Sequence, residues 1–110
     1  MNSASTDADS PAAALGRLEA DGAGRFRLSG AATMNTVAAL RTAGLQAFAT
    51  SSGDITLNLA ELTRVDSAGL ALLIDWLAWA RTTSRPLHFA ALPEALRALA
   101  RLSDVEPFLV

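Results

Sequence analysis

Apolar and polar residues alternate in two short runs, Arg17-Leu18-Glu19-Ala20 and Arg25-Phe26-Arg27-Leu28, separated by Asp21-Gly22-Ala23-Gly24. A period of two marks a half-buried strand, and a short glycine-containing link makes the pair a β-hairpin. Ser29-Gly30 is expected to end the second strand. From Thr33, which can cap a helix, the period lengthens. Met34, Val37, Ala38, Leu45 and Phe48 then fall on one side at helical spacing, predicting a helix to about Phe48 with that stripe on the core. Gly44 weakens such a helix by up to roughly 1 kcal/mol relative to Ala, so a bend or stop is expected there.

After a loop over residues 50–53, Ile55, Leu57 and Leu59 alternate with Thr56 and Asn58 and predict a third strand. A long apolar run beginning at Ser67 predicts a second helix to about Thr83, broken by Arg85-Pro86. Leu87-His88-Phe89-Ala90 predicts a fourth strand. Pro93 suits the first turn of a third helix over 94–102, with Glu94 at its positive end. Phe108-Leu109-Val110, after Glu106-Pro107, is an apolar tail expected to tuck against the sheet. Residues 1–14, rich in Ser, Asp, Thr and Ala, predict a flexible tail ahead of one domain over 15–110.

The order β-β-α-β-α-β-α implies an α/β fold. Its mixed four-stranded sheet would have an antiparallel N-terminal hairpin, then parallel crossovers, under about three helices.

A chain of 110 residues is one domain by size, and 51% hydrophobic content supplies a core. A net charge of −2 and a pI near 5.2 argue against nucleic-acid binding, which leaves a basic footprint. All nine basic residues are arginine. The absence of cysteine excludes disulfides, thiolate catalysis and Cys-ligated metal. Residues 1–15 carry no Lys or Arg and no continuous apolar run, so no secretory signal is expected. The apolar run from Leu70 to Leu77 contains Asp75 and is too short for a bilayer, which needs about 20 residues. These features imply a cytoplasmic protein that reaches a membrane only through a partner.

No catalytic constellation is visible, and the chain reads as a non-enzyme with no cofactor and no metal. The single histidine, His88, sits inside a strand beside Phe89 and reads as structural. Gly22 and Gly24 lie between two strands and so belong to a hairpin rather than a dinucleotide loop. Glu94 and Asp104 read as helix-dipole and surface charges.

Two features carry functional meaning. The first is Val65-Asp66-Ser67-Ala68-Gly69-Leu70, where a strand-like run hands over to the second helix. Ser67 is either the helix N-cap, a task Asp66 could share, or a phosphoacceptor or partner contact on a helix N-terminus that tolerates negative charge. The second is the helix itself, apolar on two sides. Leu70, Leu73, Ile74 and Leu77 form one stripe; Leu72, Trp76 and Trp79 form another. A helix of this kind is buried on both faces or covered by another protein, and the second stripe is a candidate partner interface.

The hairpin, Leu28-Ser29-Gly30, the strand from Ile55 to Leu59, and Asp66-Ser67-Ala68-Gly69-Leu70 together resemble a STAS domain, the fold of anti-sigma factor antagonists. The resemblance spans about residues 15–105. It implies that Ser67 occupies the position phosphorylated by a partner kinase in the antagonists, with Asp66, Ala68 and Gly69 shaping the turn. Within the family, Gly69-Leu70-Ala71-Leu72-Leu73 and the long helix after it are most similar to the MlaB type. That type is a small cytoplasmic subunit of bacterial phospholipid-transporting ABC systems and binds the ATPase subunit around the motif hydroxyl. The resemblance therefore implies an ABC transporter ATPase as partner, or an anti-sigma factor kinase on the antagonist reading. Two positions depart from the family pattern: Asn58 stands where an aspartate is common, and Ala31-Ala32-Thr33 replaces acidic residues.

Overall fold

The computed structural model describes residues 15–110, and the expected N-terminal tail lies outside the described residues. Strand β1 (Gly16–Ala20) pairs antiparallel with β2 (Arg25–Ala32), with Leu18 opposite Leu28 and Ala20 opposite Phe26. Helix α1 (Val37–Ala49) crosses to β3 (Ile55–Asn58), which lies parallel to the first half of β2. Strand β4 (Leu62–Val65) pairs parallel with the last residues of β2. Helix α2 (Ser67–Thr82) then crosses to β5 (Leu87–Ala90), parallel to β3. Helices α3 (Glu94–Leu102) and α4 (Glu106–Leu109) close the chain. The order along the sheet is β1-β2-β3-β5, with β4 beside β2.

One face of the sheet is dry. Phe26, Leu28, Ile55, Leu57, Leu59 and Leu87 are buried there, joined by Leu40, Phe48, Leu70, Leu73 and Leu96 from the helices. The alternate residues turn the other way and are polar: Arg17, Glu19, Arg27, Thr56 and His88. Arg27 is their hub. It lies 2.8 Å from Glu19, 3.6 Å from Asp21 and 3.7 Å from Glu61. The pair holds the Glu19 carboxyl below its ordinary range, chiefly through the hydrogen bond from Arg27.

Several expectations are corrected. The sheet has five strands, not four, because Leu62–Val65 takes up pairing with β2 where β3 has ended. Gly30 does not end β2. The strand continues to Ala32 through an irregularity between Gly30 and Ala31. Helix α1 starts at Val37 rather than Thr33, because Thr33–Thr36 forms its own hydrogen-bonded turn: the buried Thr36 hydroxyl accepts from Thr33 N at 3.0 Å and donates to Ala31 O at 2.9 Å. Met34 is thereby left outside the helix and 75% exposed, and Ala38 also faces out. The deeply buried side of α1 is Leu40, Gly44 and Phe48, with Val37 and Leu45 partly buried against the core. The C-terminal residues form the short helix α4 against α3; Leu109 is buried, whereas Phe108 and Val110 stay exposed.

Gly44 does not end α1, which continues to Ala49. It is a point of close approach between α1 and α2, and a Cβ placed there would sit 2.4 Å from Cζ2 of Trp76. The lost helix propensity, about 1 kcal/mol, is offset by the close packing of the Trp76 indole against the backbone.

Candidate functional site

The strand-to-helix junction is organised by one carboxylate. Asp66, in extended conformation, is the N-cap of α2, and its Oδ1 accepts from Gly69 N at 3.0 Å. Its Oδ2 accepts from Met34 N at 3.0 Å, tying the turn after β2 to the helix start. Asp66 N donates to Ala32 O at 3.3 Å. The bond from Met34 N, followed by those from backbone N–H groups at the helix start, holds the Asp66 carboxyl below its ordinary value of 3.8 against a partial desolvation penalty. Gly69 completes the junction. A Cβ there would lie 2.0 Å from Ala32 O, so only glycine lets the first turn of α2 rest on the end of β2.

Ser67 is therefore not the cap. It is the first residue of α2, exposed, and its hydroxyl has no hydrogen bond within the described residues. Capping has passed entirely to Asp66, leaving Ser67 at a helix N-terminus with no structural task.

Beside Ser67 runs a shallow trough of about 430 Å³ between α1 and α2. Val37 and Ala38 form one wall, Ala68, Ala71 and Leu72 the other. Arg41 and Asp75 close its far end with an exposed ion pair at 3.1 Å. Such a pair contributes about 0–1 kcal/mol to stability, so it is free to exchange partners. Met34 adds an exposed apolar side chain beside the motif.

The structure places the expected second stripe elsewhere. Leu72 is 3% exposed and Trp76 is completely buried. Trp76 packs edge-on to Phe48 at 5.4 Å, and Phe48 packs on Phe26 at 5.2 Å. Its indole N–H has no hydrogen-bond partner among the described residues. Trp79 is half-buried at the other end of α2, 5.7 Å from Phe48 and beneath the Arg85 guanidinium at 5.8 Å. The expectation that Leu72, Trp76 and Trp79 form an outward surface is thus corrected: α2 is buried on both sides, by the sheet and by α1. Only Leu72 reaches the trough, and there as part of its wall. The accessible surface is formed by Val37 and Ala38 of α1, which were expected on the core, and by small residues of α2 outside both apolar stripes. Alanines at helical spacing beside an exposed motif were the available signal.

A family model described as the Mlab, STAS domain matches residues 16–110. The chain belongs to the STAS domain family. A search of curated proteins returned no match. STAS domains are in general binding modules, and here Ala68, the neighbour of the exposed Ser67, lines an apolar trough. Among the described residues no helix is long and apolar enough to cross a membrane.

Proposed function

We propose that this STAS domain is a non-catalytic protein-binding module that docks through Ser67 and the α1–α2 trough. Its partner, on this reading, is the ATPase subunit of a phospholipid-transporting ABC system, which brings the domain to the inner membrane. The observation that carries the proposal is the exposed Ser67 hydroxyl, unbonded within the described residues, beside a trough walled by Val37, Ala38, Ala68 and Ala71. Small side chains let a partner helix or loop approach the backbone closely. Met34 supplies an apolar anchor at the rim, and the Arg41–Asp75 pair can re-pair across the interface. The match to the MlaB type of STAS domain supports this partner class.

Co-expression with such an ATPase tests the proposal. The complex should survive size-exclusion chromatography and be lost with Ala71→Arg, which fills the trough from an exposed position. An ATPase that never co-elutes with the native chain would end this reading.

A second reading follows from the freedom of the same hydroxyl. Ser67 is exposed at a helix N-terminus, where a phosphate adds close to two negative charges without disturbing the core. On that reading the domain is an anti-sigma factor antagonist switched by a kinase. Phosphate found on Ser67 by mass spectrometry after incubation with an anti-sigma kinase, together with no binding to the ATPase, would favour it.

A further inference from the structure

A second groove, of about 580 Å³, lies at the opposite end of α2, some 20 Å along the helix from Ser67. Its floor and walls are apolar: Ile74 and Leu77 from α2, Leu87 from β5, and Val105 and Phe108 from the C-terminal segment. Phe108 is 61% exposed, so the groove has an open apolar lip. Its volume falls within the roughly 300–1,000 Å³ of small-molecule sites.

The charges around it are one-sided. Of the nine arginines, Arg17, Arg27, Arg41, Arg97 and Arg101 each have a carboxylate within ion-pair distance. Arg25, Arg64, Arg81 and Arg85 do not among the described residues, and the last two line this groove, whose lining contains no carboxylate. In a chain of net charge −2, two of the four guanidiniums with no carboxylate partner among the described residues stand together at one apolar cleft. Their roles differ. Arg85 is committed to the fold: it donates to Gly53 O, Phe48 O and Ser51 Oγ, tying the end of α1 to the loop before β3. Arg81 makes no side-chain hydrogen bond within the described residues and is exposed on the last turn of α2.

We propose that this groove binds a single-chain anionic amphiphile, a fatty acid in its ionised form. The alkyl chain would lie against Ile74, Leu77, Leu87, Val105 and Phe108, and the carboxylate would pair with Arg81 in the positive field of Arg85. Guanidinium and carboxylate match as planar, two-point partners. The apolar tail supplies the non-directional part of the affinity and the ion pair its orientation.

Titration calorimetry of the full chain with dodecanoate, below its micelle-forming concentration, should give one saturable site. Arg81→Glu should weaken it by about tenfold or more, whereas Arg81→Lys, which keeps the charge, should cost only about threefold. Arg81 is exposed and holds nothing in place, so both variants should melt with the native chain. Phe108→Ser, also at an exposed position, should weaken binding without changing its salt dependence. Dodecyltrimethylammonium, with the same tail and the opposite charge, should bind about tenfold more weakly or worse. Absence of a saturable site for dodecanoate overturns the proposal, as does native-like binding by Arg81→Glu. Retention of the protein on vesicles containing anionic phospholipid, with no binding of dissolved dodecanoate, would make the face a membrane contact instead and equally overturn it. So would a dimer that dodecanoate fails to dissociate, which would put a second copy in the groove.

Discussion

The two ends of helix α2 are built on opposite principles. At its N-terminus the contacts are polar and backbone-directed: Asp66 joins Met34 N to Gly69 N, and Gly69 lets the helix rest on Ala32 O. Ser67 stands among these bonds and takes part in none. Two to three turns later the contacts are aromatic. Trp76 lies on Gly44 and packs edge-on to Phe48, which packs edge-on to Phe26. The first end is held by groups whose geometry is fixed without the side chain of Ser67, so that side chain is available to change. The second is held by side-chain volume, so its buried aromatic side chains cannot change without a cavity or a clash. A protein that signals or docks through one residue gains from keeping that residue out of its own stability.

Replacing Trp76 should have the largest effect. Trp76→Ala removes a fully buried indole and should cost about 3–5 kcal/mol, read as a shift in the urea midpoint. This is a large part of the 5–15 kcal/mol typical of a domain. A native-like midpoint would break the comparison, because Trp76 would then not be core. Gly69→Val comes next. It forces a Cβ onto Ala32 O and should cost about 1–3 kcal/mol as the first turn of α2 lifts from β2.

Asp66→Ala should lose about 1–2 kcal/mol from the missing cap and the unpaired Met34 N–H. The pH dependence has a definite sign. The folded-state pKa of Asp66 is depressed, so its contribution is complete above the ordinary value of 3.8 and disappears as pH falls through the lower folded value. Chemical denaturation between mildly acidic and strongly acidic pH should therefore show native stability falling through this window. In Asp66→Ala that fall should be shallower, and an equally steep one would show that Asp66 contributes nothing to it.

Ser67 should give the smallest effect on stability and the largest on binding. Ser67→Ala should change stability by no more than about 0.5 kcal/mol, because the hydroxyl is neither cap nor buried. Ser67→Asp should be equally silent in a melt or slightly stabilising, the helix N-terminus favouring its charge. Yet it should weaken partner affinity strongly, since a carboxylate buried unpaired at an apolar rim is costly. Native-like affinity for Ser67→Asp would remove the docking role of this end of the helix. A large stability loss in Ser67→Ala would remove its separation from the fold.

Most of the element order was legible in the chain. The hairpin, the strands at Ile55 and Leu87, and the helices from Ser67 and Glu94 follow from periodicities of two and 3.6 and from Pro and Gly punctuation, which are local. The misreadings share a cause. Leu62-Thr63-Arg64-Val65 is too short and too polar to announce a strand, and it becomes one because the end of β2 offers it backbone partners. Thr33 has a capping side chain, but the hydroxyl of Thr36 ties the turn and delays α1 to Val37. Asp66 and Ser67 are both good caps by type. Which one caps depends on the path of the backbone between β4 and α2.

The same division applies to the candidate site. Taken alone, the sequence determined the family motif, the junction at which Ser67 sits, and a second helix apolar on two sides, because these depend on residue type and spacing along one element. It could not determine what covers each side of that helix. Leu72 and Trp76 read as an outward stripe until α1 is laid across them, with Gly44 providing the room. The surface proposed for docking is then the trough beside Ala38 and Ala71, and among the described residues Arg81 is left uncompensated at the other end. Burial is a property of pairs of elements, and a helix periodicity records only that two faces are apolar, not which of them the rest of the chain will cover.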